Sequence, residues 1–305
     1  MNNTINKSSL IFQSLNPIIK LNCSDINITY GIPITFTITV SIHNNSYTPT
    51  GNINLSTKDN SIHLGTTELN NGTAIFIINS LLVGSYDIVA NYSGDEYTVP
   101  GTSTPLNINI IPTSSNILLQ LSPNNNIIYK TPIKLTAVFI SNGIPDKNIE
   151  FLNNTKLIGT APIVQGMATL TIILNAGQHS LQAVYPGDNN ILSSTSNIIN
   201  LDIIPAKSYL TLIADRTTIK KDQEINLTAN VISDNPNDNI NVGTVIFFEE
   251  THLQFLEIIS VVNGTAHYKH KLHKGSYIFR AVYTDQQGEI SQLPALSNSL
   301  QIVVE

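Results

Sequence analysis

The sequence predicts an all-β chain of three tandem β-sandwiches, and three observations carry that expectation. A phrase recurs, as "LLVGSYDIVANYSGDEY" at 81–97, "LNAGQHSLQAVYPGDNN" at 174–190 and "LHKGSYIFRAVYTDQQG" at 272–288. Within each copy apolar residues return at every second position, the period of a strand with one buried face. The closing tyrosines Tyr92, Tyr185 and Tyr283 are 93 and 98 residues apart, a domain's length and far more than one turn of a solenoid. No stretch shows helical periodicity.

Each element follows from the same alternation. Aligned on Gly84, Gly177 and Gly275, the inward sets are Tyr86, Ile88, Ala90 and Tyr92; His179, Leu181, Ala183 and Tyr185; and Tyr277, Phe279, Ala281 and Tyr283. Asp87, Asn91, Ser180, Gln182 and Arg280 fall between them and face solvent. Eleven or twelve residues upstream, "NNGTAIF" (70–76), "VQGMATL" (164–170) and "VNGTAHY" (262–268) each read as a tight turn opening a strand. Further upstream, "PITFTITV" from 33, "PIKLTAVF" from 132 and "EINLTANV" from 224 supply inward sets starting at Ile34, Ile133 and Ile225. In the second repeat the pattern gives seven strands, near 116–122, 132–140, 147–152, 157–163, 166–174, 178–185 and 197–204.

The joints "NIIPTSS" (109–115) and "DIIPAKS" (202–208) place Pro112 and Pro205 93 residues apart. Proline stops a ladder from continuing and limits backbone freedom. The expected division is an N-terminal segment at 1–17, a candidate for disorder, then sandwiches at 18–112, 113–205 and 206–305. Such short joints predict an elongated rod; a compact globule of this length has a radius of gyration of roughly 19 Å, and scattering near that value contradicts the rod.

Seven short strands per repeat describe an immunoglobulin-like (Ig-like) sandwich. Tyr86 in "GSYDI" and Tyr277 in "GSYIF" look like that fold's tyrosine corner, with Ile88, Leu181 and Phe279 where a disulfide cysteine often stands; His179 interrupts the pattern in the middle repeat. The motif seen as "GQHSLQAVYPGD", and more loosely as "GSYDIVANYSGD", resembles the bacterial Ig-like repeats found in tandem in surface adhesins and adhesin-like proteins. The resemblance covers about 18–304 and implies an extracellular or cell-surface protein. The third repeat departs from it, with "YTDQQGE" in place of the Gly-Asp turn and a longer loop at 233–243.

Composition narrows the function classes. Charged residues make up 12% of the chain and the net charge is −6, which provides no electrostatic footprint for nucleic acid. The single cysteine, Cys23, cannot close an internal disulfide, so the sandwiches stand without that staple. No apolar run reaches the length of a membrane span, and no ordinary signal peptide is read at the start. The chain is therefore read as not inserting into a membrane and as a candidate piece of a longer repeat protein.

Gly94-Asp95 and Gly187-Asp188 are candidate calcium ligands by type, but calcium takes six or more oxygens and these loops supply one or two acids, so a side-chain-held turn is the expected role. His267, His270 and His273 are spaced wrongly for one ion on a strand, and His270 falls on an inward track. No nucleophile with its base, paired carboxylates or metal spacing emerges; the expectation is no catalytic residue, no cofactor and no metal. Asn-x-Ser/Thr triplets, as at Asn27, Asn71, Asn91, Asn226 and Asn263, are frequent by chance in a chain this rich in those residues. Ile75 and Ile77 are apolar on the wet side of their strand, which predicts a contact there.

The functional expectation is a non-enzymatic stalk or spacer at a surface, with a protein or glycan ligand sought first at loops 93–103, 186–196 and 284–294. The alternatives are a virion or phage surface decoration, or a carbohydrate-binding segment of a larger extracellular enzyme; the lack of tryptophan for stacking on sugars counts against the latter.

Overall fold

The computed structural model describes residues 15–43, 47–285 and 291–305, and every regular element among them is a strand. By proximity the described chain forms two compact units. One runs to Asn116 and includes Phe139–Lys147 and Tyr185–Ser194; the other comprises Ile117–Val138, Asn148–Val184 and Thr195–Glu305.

The first sheet pair, sandwich 1, lies within the first unit. Its strands are β1 (Pro17–Cys23), β2 (Asn27–Thr29), β3 (Ile34–Ile42), β4 (Asn52–Thr57), β5 (His63–Glu68), β6 (Thr73–Ile78), β7 (Gly84–Tyr92), β8 (Gly101–Thr102) and β9 (Leu106–Ile111). One sheet has the order β1-β3-β6, and the other β2-β9-β7-β4-β5 with β8 on β7. Pro17 already pairs with Ile42, while residues 1–14 of the N-terminal segment lie outside the described residues.

A second sheet pair, sandwich 2, is built from β10 (Ser115–Ser122), β11 (Ile133–Ser141), β12 (Ile149–Asn153), β13 (Lys156–Ala161), β14 (Met167–Ile172), β15 (Gly177–Tyr185), β16 (Ser194–Thr195) and β17 (Ile199–Ile203). Its sheets run β10-β11-β14 and β13-β12-β15-β16, with β17 on β15. The short β16 is the strand that the alternation does not reveal.

Sandwich 3, within the second unit, contains β18 (Ala206–Ala214), β19 (Thr218–Ile219), β20 (Glu224–Ser233), β21 (Thr244–Glu249), β22 (Gln254–Ser260), β23 (Thr265–Lys271), β24 (Gly275–Thr284), β25 (Gln292–Leu293), β26 (Ala295–Leu296) and β27 (Leu300–Val304). The orders are β23-β20-β18-β25 and β19-β27-β24-β21-β22, with β26 on β24.

The period-two residues form the cores. Ile34, Phe36, Ile38 and Val40 of β3 and Ile225, Leu227, Ala229 and Val231 of β20 are all buried, in two separate clusters. Ile133, Leu135 and Ala137 of β11 are buried in the same alternation. Burial of such side chains, worth roughly 1.5–3 kcal/mol each, drives folding.

Asn71-Gly72, Gln165-Gly166 and Asn263-Gly264 all have positive φ, between 49° and 76°. The flanking residues Asn70 and Thr73, Val164 and Met167, and Val262 and Thr265 exchange both backbone hydrogen bonds. These are two-residue hairpins whose twist matches the strands, and glycine suits the second position because it carries no Cβ.

Candidate functional site

The residues repeated in sequence meet where β7, β15 and β24 end. Inward alternation buries Tyr92, Tyr185 and Tyr283, and the chain then turns within three residues. At Gly94, with φ 77°, an added Cβ would meet Thr98 O at 2.8 Å and Pro100 N at 2.9 Å. Gly187, with φ 83°, would meet Ser193 N at 2.9 Å, so no larger residue fits either turn without a shift.

Asp95 closes the first turn. Its Oδ1 accepts from the Tyr97 N–H (3.0 Å), the Thr98 N–H (2.8 Å) and the Thr98 hydroxyl (2.7 Å). Oδ2 accepts from the Thr50 N–H (2.8 Å), the Tyr47 hydroxyl (3.0 Å) and the Thr50 hydroxyl (3.2 Å). Burial alone raises its pKa, but the donors from Thr50, Thr98 and Tyr97 overcome that and hold the carboxyl well below the usual carboxylate range. Tyr92 joins the set through a 2.7 Å hydrogen bond between its hydroxyl and that of Thr98.

Asp188 repeats the arrangement. Oδ1 accepts from the N–H groups of Asn190 and Ile191, both at 2.7 Å, and Oδ2 from the Tyr185 hydroxyl. Its pKa is lowered, burial being outweighed by the Tyr185 hydroxyl and these N–H groups. Tyr185 is shifted upward by burial and by the adjacent Asp188 carboxylate.

The third repeat keeps the carboxylate after all. Asp285 stands two residues after Tyr283 instead of three, and its Oδ2 accepts from the N–H groups of Ser291 (3.0 Å) and Gln292 (2.9 Å). The departure from the Gly-Asp motif is therefore a change in spacing, with the acid retained. A carboxylate whose lone pairs point at N–H and O–H donors, as at Asp95, offers few of them to a cation.

At the start of the same strands, the Tyr86 hydroxyl donates to Leu82 O and the Tyr277 hydroxyl to His273 O, each at 3.0 Å. His179 does not leave the middle corner empty: its Nε2 lies 2.9 Å from Asn175 O, four residues upstream as in the other two. Ile88, Leu181 and Phe279 at the cysteine position are fully buried.

All three expected ligand loops are engaged inside their own units; in loop 93–103, Tyr97 O accepts from the Leu15 N–H (2.8 Å) and the Val99 N–H donates to Leu15 O (3.1 Å). In the first unit, the Val83 N–H donates to Asn190 Oδ1 (3.0 Å) and the Thr113 N–H to Asn190 O (2.9 Å), which commits part of loop 186–196. Of loop 284–294, residues 286–290 lie outside the described residues, and the Ala206 N–H donates to Ser291 O at 3.0 Å. The longer loop at 233–243 contributes Asn235, whose Nδ2 donates to Tyr129 O at 2.5 Å within the second unit.

His267, His270 and His273 do not converge. His270 is half-buried, 3.0 Å from the Tyr268 hydroxyl, and its pKa is lowered by burial against the pull of Glu249. His273 pairs with Asp222 at 3.0 Å, and His267 lies on the exposed side near Thr228. Ile75 and Ile77 remain 59% and 70% exposed, so no described part of the chain covers them. No group of three or more His, Cys, Asp or Glu among the described residues is placed to hold a metal ion.

Two face-to-face sheets, a parallel pair such as β2 with β9, and a hydrogen-bonded corner opening the strand that ends at the acidic turn define the class: tandem Ig-like sandwiches. A sequence model of the bacterial Ig-like domain (group 3) matches residues 21–111 and 119–204. The chain belongs to that family. No curated protein matches it. Among solved structures, it is similar to a tetra-tandem repeat from the extending region of a large adhesion protein (15% identity over 94% of this chain and 74% of that one, TM-score 0.41). It is also similar to the Escherichia coli adhesin FdeC (15% identity, 94% of this chain and 96% of that one, TM-score 0.29). A third likeness is to titin domains A168–A170 (16% identity, 96% of this chain and 100% of that one, TM-score 0.35).

Proposed function

We propose that this chain is a non-enzymatic repeat segment displayed at a bacterial surface, where its sandwiches serve as a spacer and adhesive stalk. The observation that supports the reading most is the tandem pair of family domains followed by a third sandwich on the same plan. The proposed boundaries are 18–112, 113–205 and 206–305. Tyr86, Tyr92, Tyr185, Tyr277 and Tyr283 are assigned structural roles, as are Gly94, Asp95, Gly187 and Asp188, because their polar atoms or their backbone angles serve the turns.

A stalk of this kind works mechanically. Each core resists unfolding by itself, and open strand edges and end loops offer contact area. Loops 93–103, 186–196 and 284–294 are the first places to seek a protein or glycan ligand. Labelling of intact source cells with a membrane-impermeant amine reagent tests the display. Modification of this chain's lysines before lysis is the expected result, and modification only after lysis contradicts the reading.

A further inference from the structure

We infer that the outer face of the β19-β27-β24-β21-β22 sheet of sandwich 3 is a self-association surface, on which a second copy of this chain docks by the same face. The inference concerns the isolated chain and does not depend on where the chain is displayed.

The observation is a difference between equivalent positions. Ladder pairing aligns one outward row across each sandwich. In sandwich 1 it reads Thr66, Asn54, Asn91, Thr102. In sandwich 2, Glu150 sits between Thr160 and Val184. In sandwich 3 the row is Ile258, Ile246, Val282, Leu296, with Ile258 and Leu296 53% and 55% exposed. The next row pairs Phe248 with Phe255, which is 60% exposed, where sandwich 1 has Ser56 with His63 and sandwich 2 the smaller pair Leu152 with Leu157. Leu253, in the turn beside them, is 91% exposed at φ 54°, a conformation leucine rarely adopts. A shallow hollow lined by Ile246, Phe248, Leu253 and Phe255, with Glu249, Glu250 and Gln254 at its side, runs between these side chains. Sandwich 1 shows that the fold does not need apolar residues here.

Charge and area indicate the occupant. The ladders bring one charged side chain onto these rows, Arg280, opposite Phe248. Arg280 Nε lies 3.2 Å from Glu250 Oε1 and 2.8 Å from Ser299 Oγ, and the Glu249 carboxylate is buried and turned to the Thr251 and His252 N–H groups, so the face presents no net unpaired charge to a copy of itself. The contrast is β23, whose Lys269 and Lys271 would set like charges against each other in a self-paired edge. A two-fold contact places the same patch against itself in reverse, which sets Glu250 of one copy near Arg280 of the other and turns two internal ion pairs into a four-charge ring. Four large apolar side chains on or beside these rows, Leu253, Phe255, Ile258 and Leu296, are each more than half exposed, and such a contiguous patch marks a contact surface of the kind a two-fold interface buries.

Sedimentation equilibrium on the 305-residue chain tests this. The wild type is expected to move from single-chain to double mass as its concentration rises. The triple substitution Phe255→Thr, Ile258→Thr and Leu296→Thr installs good strand formers at exposed sites and is expected to hold the single-chain mass with an unchanged far-UV spectrum. Should that variant misfold, Leu253→Ser alone is expected to weaken the dimer several-fold. Glu250→Arg and Arg280→Glu are each expected to abolish self-association separately and to form a mixed dimer when combined. A wild type that stays at single-chain mass overturns the proposal, as does a dimer that none of these substitutions alters. So does a single-chain wild type that instead binds neutral phosphatidylcholine vesicles through this face.

Discussion

Leu55 of sandwich 1 and Phe247 of sandwich 3 occupy the same inward site on equivalent strands and are both fully buried. One residue back, Asn54 and Ile246 occupy the same outward site and share no chemistry. At these sites the two sandwiches agree on hydrophobicity where the ladder points inward and differ where it points out. Their cores even trade volume: Phe36 and Leu55 on one side correspond to Leu227 and Phe247 on the other, so the large ring moves between sheets while each interior stays filled. The inner face is fixed by the fold, and the outer face is available to function.

The comparison can be broken most forcefully at the cores. Phe36→Ala and Phe247→Ala should each destabilise the sandwich that holds the ring by about 3–5 kcal/mol. Because the two core clusters are separate, calorimetry should show each substitution lowering one transition. A uniform shift of every transition would mean that the cores act together.

The acidic turns come next. Asp95→Ala leaves the N–H groups of Thr50, Tyr97 and Thr98 without their acceptor and should cost roughly 2–4 kcal/mol in urea unfolding of sandwich 1. Asp285→Ala should produce a loss of the same order in sandwich 3, by way of Ser291 and Gln292. A neutral result at Asp285 would restore the view that the third repeat lacks the motif.

Acid separates the two sandwiches by pH. His270 has its pKa lowered by burial, so protonation favours the unfolded chain: its contribution is complete above about pH 6.5 and declines as pH falls below that. Asp95 has its pKa lowered by hydrogen bonding against burial, so its contribution is complete above about pH 4 and is lost as pH falls further. Sandwich 3 should therefore soften first, as pH falls from about 6.5 towards 4, and His270→Phe should remove that step. Melting curves at stepped pH check both halves.

The smallest effects belong to the corners. Tyr86→Phe and Tyr277→Phe each remove one hydrogen bond to backbone and should cost about 0.5–1.5 kcal/mol. His179→Phe should cost a similar amount in sandwich 2, since its ring nitrogen reaches the same acceptor position.

What was legible in the sequence was whatever period two encodes. The strands, the Asn-Gly hairpins and the buried tyrosines all follow from alternation and turn chemistry. The Asp285 clamp did not, because its acid is one residue early and its donors follow six and seven residues later, a spacing set by loop geometry. His179 was misleading for a related reason: the corner requires a polar atom at a certain reach from the backbone, and imidazole supplies it as phenol does. The outer face of sandwich 3 left a trace in "VIFF" at 245–248, an apolar run with no alternation, which is the mark of a strand apolar on both sides.

The central claim about the candidate site is that its carboxylates are internal clamps, saturated by the chain's own donors. Thermal melting of the wild type in saturating calcium and in excess chelator tests this most directly, with Asp95→Ala and Asp188→Ala alongside. Wild-type melts should superimpose in the two conditions, and both variants should melt lower in each. A wild-type melting temperature raised by calcium, and a rise abolished by either substitution, would contradict it.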